Sequence, residues 1–149
     1  MKARIIEGAC HCQNIRYELA WPADAFPITK RECGCSFCRK HGASYTSHPE
    51  SSLKVKFKDE SKVQYYRFGH ETADFVLCRD CGGMMFALSD IKGVSYAVIN
   101  VNHFENVDAD ELIRSSTDFD GESVESRLAR RKRNWTPAVS FAQDSASAS

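Results

Sequence analysis

The sequence has no long apolar run. Nothing in it approaches the eighteen or so residues of a membrane-spanning helix. Near Met1 the only apolar pair, Ile5-Ile6, is not extended into the core of a secretory signal. Net charge is also missing, since 20 Lys+Arg stand against 20 Asp+Glu. That balance argues against a polyanion binder acting through bulk charge, and against a disordered acidic chain. No internal repeat is visible. The expectation is a cytoplasmic protein without a membrane segment, in a compartment that keeps thiols reduced.

At 149 residues the chain fits one domain able to bury roughly two-thirds of its unfolded surface, so no crosslink is needed to hold a core. It nevertheless carries seven cysteines. An odd count cannot pair completely into disulfides, which leaves metal ligation or catalysis as the use of these thiols.

Period-two alternation dominates the first two-thirds. Gln13 to Leu19 sets Ile15, Tyr17 and Leu19 on one side, and Leu53 to Lys58 alternates apolar with Lys as a half-buried strand does. Val63 to Phe68, Phe75 to Leu77, Met84 to Leu88 and Val94 to Val101 are further predicted strands, rich in β-branched and aromatic residues. Turns are predicted at Asp59-Glu60-Ser61, at Phe68-Gly69-His70 and from Asp90 to Gly93. The remainder changes character. Residues Glu105 to Glu125 are acid-rich, and Arg127 to Arg133 is strongly basic. A helix over Glu122 to Arg133 puts Glu122 and Glu125 in the first turn and the cations in the last, as the helix dipole favours. The reading is a mainly β single domain over 1–141 with a short C-terminal helix. A Ser/Ala-rich tail, Ala142 to Ser149, is expected to fray.

The cysteines form three groups: Cys10-His11-Cys12, then Cys33-Gly34-Cys35-Ser36-Phe37-Cys38, then Cys78-Arg79-Asp80-Cys81 followed by Gly82-Gly83. In an extended segment Cys10 and Cys12 point to the same side. Cys78 and Cys81 have the spacing of a zinc knuckle, with glycine following where positive φ is needed. Two such pairs, brought together, close a four-thiolate structural site. Cys33, Cys35 and Cys38 can hold a metal locally, and three protein ligands with an open position is the arrangement of a catalytic zinc. Alternatives stand beside this division. The CxxC could be a redox pair, although Gly82-Gly83 opposes the helix such a motif begins. His41, His48 or His11 could close the second site as a structural centre. His70 and His103 read as ordinary surface or packing residues.

A zinc on three thiolates has an overall charge of about −1, a weakened Lewis acidity and a preference for a soft fourth ligand. A substrate thiol bound there loses its proton and stays nucleophilic. The implied chemistry is carbon–sulfur bond making or breaking. Arg39 and Lys40 could offset the charge or hold a substrate carboxylate, against the plain alternative of two solvated cations. Ser36, Tyr45, His41 and His48 are the candidates for proton transfer.

These residues resemble the glutathione-dependent formaldehyde-activating enzyme family, whose domain also occurs in centromere protein V-like proteins. The matching stretches are Gly8 to Cys12 leading to Ile15-Arg16-Tyr17, Cys33 to Lys40 with Gly42-Ala43, and Phe75 to Phe86 around Cys78 and Cys81. The resemblance implies a zinc-stapled Mss4-like β fold with two zincs per chain. One is a structural zinc on Cys10, Cys12, Cys78 and Cys81, the other a catalytic zinc on Cys33, Cys35 and Cys38. It further implies a carbon–sulfur lyase that binds a thiol such as glutathione and makes or cleaves its S-hydroxymethyl adduct. The contrasting hypothesis is a non-catalytic zinc-stabilised module that holds nucleic acid or an acidic protein on Arg127 to Arg133. Chain neutrality disfavours it, because phosphate binding rests on accumulated positive charge.

Overall fold

The alternating segments become strands in the structure, a computed structural model that describes residues 3–68, 72–117 and 122–143. Eleven strands are described: β1 Ala3–Ala9, β2 Ile15–Pro22, β3 Ile28–Cys33, β4 Ser44–Thr46, β5 Ser52–Phe57, β6 Val63–Tyr66, β7 Asp74–Cys78, β8 Met84–Ile91, β9 Val94–Asn100, β10 Leu112–Thr117 and β11 Ala138–Gln143. Two α-helices, α1 Ser36–His41 and α2 Val124–Asn134, lie among them. The mainly β class with a short C-terminal helix is therefore correct.

The strands form two sheets. Four strands run in the order β1-β2-β5-β11, and seven in the order β10-β3-β4-β9-β8-β7-β6. Inward residues of both sheets share one buried cluster, including Ile6, Ile15, Leu19, Leu53, Val55, Val76, Phe86 and Ile99. A second cluster covers the other face of the larger sheet and joins Cys38, Tyr45, Met84, Ala87, Tyr96, Val98 and Trp135. The larger sheet is thus buried on both sides, which is why β8 reads as the unbroken apolar run Met84 to Leu88. A register shift opposite Val76/Leu77 skips Met85. Met85 and Phe86 consequently enter the first cluster, while Met84 and Ala87 enter the second.

Five strands escaped the sequence reading: β1, β3, β4, β10 and β11. β3 and β10 are polar and pair in parallel, and β4 has only three residues. β11 pairs in parallel with β5 and carries ordered chain to Gln143, two residues past the expected boundary at 141. Residues 144–149, and the Gly69-His70 part of the expected turn, lie outside the described residues. α2 starts two residues later than expected because Ser123 is its cap, the Ser126 N–H donating to Ser123 Oγ at 3.1 Å. Glu122 sits just before that cap and binds back to the helix, with Arg130 donating two hydrogen bonds to it at 3.0 and 3.1 Å. Among the described residues, no helix is long and apolar enough to cross a membrane.

Candidate metal centres

The first centre is built at the crossing of two hairpin ends. Cys10 and Cys12 do not lie in an extended strand, which corrects the geometry expected for them. β1 stops at Ala9, and the chain turns, with the Gln13 N–H donating to the Cys10 carbonyl at 3.0 Å and Gln13 at positive φ. The turn brings the Ile15 N–H to within 3.3 Å of Cys10 Sγ. Opposite it, the Gly82 N–H donates to the Cys78 carbonyl at 2.9 Å, with Gly82 at φ 77°, a left-handed conformation that glycine adopts without strain. Gly83 follows with no room to spare, since a Cβ there would lie 3.1 Å from the His103 ring and 3.3 Å from Cys10 Cβ.

The sulfurs of Cys10, Cys12, Cys78 and Cys81 all lie within 4.8 Å of one another. Cys10 to Cys12 is 3.7 Å and Cys12 to Cys78 is 3.4 Å. A tetrahedron with metal–sulfur bonds of about 2.3 Å has edges of about 3.8 Å, so these four sulfurs fit a zinc ion. Burial pushes the Cys10 thiol up to about 12, whereas Cys81, despite a burial that raises it, is drawn down to about 6 by the N–H groups of Cys12 and Gly83. His11 is exposed beside this centre and is not part of the ligand group. His103 is half-buried against it, its own pKa lowered by burial, and packs there as expected.

The second centre lies on the far face of the larger sheet. Cys33 ends β3, Cys35 caps α1, and Cys38 is buried inside that helix. The Cys38 N–H donates to Cys35 Sγ at 3.4 Å, so the cap itself sets the spacing of two sulfurs. α1 ends at Gly42, which takes φ 62° and returns its N–H to the Arg39 carbonyl. The three sulfurs lie within 4.8 Å of one another, and among the described residues no histidine, aspartate, glutamate or further cysteine joins them. His70 lies outside the described residues. This triad also suits zinc, as a soft donor set with a coordination position left over. The Cys33 thiol is drawn down to about 5, chiefly by the hydrogen bond from Cys38, while Cys38 is pushed up by sharing that proton and by burial.

The nominated proton-transfer residues separate cleanly. Tyr45, on β4, places its hydroxyl 3.2 Å from Cys38 Sγ. Burial, and then the neighbouring Cys38, push the pKa of Tyr45 up, so it stays protonated. His41 instead bonds the Phe37 carbonyl at 3.1 Å and stacks on the Phe37 ring. His48 accepts the Glu50 N–H and packs edge-on to Trp21. Ser36 is exposed in the first turn of α1. Arg39 and Lys40 are both exposed, and Arg39 Nε donates to the Gly34 carbonyl at 3.1 Å, bracing the loop between Cys33 and Cys35.

Sequence reasoning missed Arg31. It stands two residues before Cys33 on β3, and its guanidinium donates to Ser47 Oγ at 2.9 Å. The i, i+2 spacing was a usable signal, but the polar run Thr29 to Glu32 hid the strand that gives it meaning.

The basic stretch on α2 is largely committed internally. Arg130 and Arg127 face Glu122, and Arg131 is buried, donating to the Thr72 carbonyl, Thr72 Oγ1 and Ser89 Oγ.

The family described as glutathione-dependent formaldehyde-activating enzyme matches residues 5–119. A crystal structure of a Rhodobacter sphaeroides protein is 29% identical, with a TM-score of 0.55, and the match covers 73% of this chain and 99% of that one.

Proposed function

The chain belongs to the glutathione-dependent formaldehyde-activating enzyme family, and from that premise we propose that it is a carbon–sulfur lyase joining a small thiol, such as glutathione, to formaldehyde. In the forward direction the sulfur bonds to the carbonyl carbon, the C=O π bond opens, and the thiol proton ends on oxygen as a hydroxyl. The reverse reaction breaks that carbon–sulfur bond and returns the proton to sulfur.

The observation that carries this reading is the triad Cys33, Cys35 and Cys38, three converging sulfurs without a fourth protein ligand among the described residues. A zinc ion bound there supplies a soft site at which a substrate thiol is deprotonated and yet remains nucleophilic. Cys10, Cys12, Cys78 and Cys81 would hold a second, structural zinc, joining the β1–β2 turn to the β7–β8 turn. Tyr45, kept protonated by burial, donates to Cys38 Sγ and withdraws charge from that ligand. A site made of reduced thiolates is suited to the cytoplasm.

The test is cobalt substitution. Glutathione added at millimolar concentration is expected to shift the visible spectrum of the three-cysteine site. An unchanged spectrum would remove glutathione as the bound thiol.

A further inference from the structure

We propose that Arg31 binds a substrate carboxylate, which makes carboxylate-bearing thiols the substrate class of the three-cysteine site. This inference rests on the thiol-binding reading above and assigns the residue that selects among thiols.

Three placements carry it. Arg31 and Cys33 are two apart on β3, so their side chains leave the strand on the same side, their Cα atoms roughly 6.6 Å apart. Arg31 is also the direct antiparallel partner of Tyr45 on β4, and opposed residues share a face. That shared face holds the Tyr45 hydroxyl against Cys38. The guanidinium is thus on the metal-ligand side of the sheet by two independent registers.

It is held there, and its charge is unmatched. One Nη donates to Ser47 Oγ at 2.9 Å, and Ser47 Oγ donates to the Asn134 carbonyl at the end of α2, also at 2.9 Å. Among the described residues no carboxylate pairs with Arg31, although the side chain is half-buried. Arg130 lies within electrostatic range of both Arg31 and Cys33, but its own charge is engaged by Glu122. A half-buried guanidinium with no carboxylate beside it attracts an anion, and a carboxylate matches its planar fork. Arg39 is differently employed, because its Nε is bound to the Gly34 carbonyl.

The competing role for Arg31 is to offset the negative charge of the metal-bound thiolates themselves. Two thiols with the same two-methylene spacer separate these roles: 3-mercaptopropionate, which carries a carboxylate, and 2-mercaptoethanol, which does not. Each is titrated into the cobalt-substituted full chain and its Kd read from the visible spectrum. The wild type is expected to bind 3-mercaptopropionate about tenfold or more tightly, the effect of one charge-assisted pair. Arg31→Gln is expected to abolish that preference while leaving the Kd for 2-mercaptoethanol within about twofold. Arg31→Lys, which keeps the charge and loses the fork, is expected to retain a reduced preference; it serves as the test should the Gln variant not fold. A preference left intact in these variants overturns the inference, as does equal weakening of both thiols. If neither thiol perturbs the wild-type spectrum, the thiol-binding reading itself fails and takes the inference with it.

Discussion

The Tyr45 hydroxyl lies 3.2 Å from Cys38 Sγ, beneath the helix that carries two of the three sulfurs of the second centre. With a metal on Cys38 its sulfur would be a thiolate, and the tyrosine would be the donor. Its buried pKa is pushed upward, so the donation persists across the accessible pH range.

Tyr45→Phe removes this one donor without opening a cavity. In the cobalt-substituted protein the sulfur-to-metal charge-transfer band is expected to move to lower energy, since Cys38 becomes more electron-rich. Turnover is expected to fall by roughly tenfold, the worth of one hydrogen bond to a charged group. An unmoved band would show that the hydroxyl does not act on the metal ligand.

Ligand substitutions at the two centres are expected to differ in kind. Cys81→Ala breaks the clasp between two hairpin ends, so the chain is expected to lose cooperative thermal unfolding, as metal binding is folding free energy at a structural site. Cys35→Ala removes a ligand at the start of a six-residue helix on the sheet's outer face. Far-UV circular dichroism is expected to stay native while thiol binding disappears. Elemental analysis of the wild type is expected to give two zinc ions per chain. Equal collapse of both variants would mean two structural sites.

In reduced protein from which a mild chelator has removed metal from the three-cysteine centre alone, Cys33 is expected to be among the first thiols alkylated at neutral pH. Its pKa is drawn down to about 5, so the reactive thiolate is present above that pH and is lost as the pH falls through it. Cys10, pushed up to about 12 by burial, is expected to react slowly over the same range. Mass spectrometry of iodoacetamide-labelled peptides between pH 4 and 8 reads both. Zinc is expected to suppress the Cys33 reaction.

Arg131 is expected to matter for stability rather than for binding polyanions. Its side chain is buried and donates to Thr72 and Ser89, which ties α2 to the end of β8. Arg131→Ala leaves those acceptors unpaired and is expected to cost about 2–4 kcal/mol, a drop in Tm of roughly 3 °C for each kcal/mol. Salt-sensitive binding of an oligonucleotide by the wild type, lost in Lys132→Ala/Arg133→Ala, would restore the binding-module reading.

What the sequence determined by itself was local. Alternation marked β2, β5 and the strands from β6 to β9, because a half-buried strand writes its two faces into neighbouring residues. The Cys spacings picked out all seven thiols of the two groups that could hold a metal, since pairs within a turn need no distant partner to be recognised. Tertiary structure decided the rest. Parallel partners β3 and β10 carry no local signature, as their pairing is made across 84 residues of chain and hides in polar sequence. The union of Cys10 and Cys12 with Cys78 and Cys81 depends on two hairpin ends meeting. The selection of Tyr45 over Ser36, His41 and His48 turns on which side chains share a face with Cys38. So does the emergence of Arg31, visible only when β3 is laid against β4. Side-chain chemistry is fixed by composition, but which groups act on one another is fixed by register, and register belongs to the folded chain.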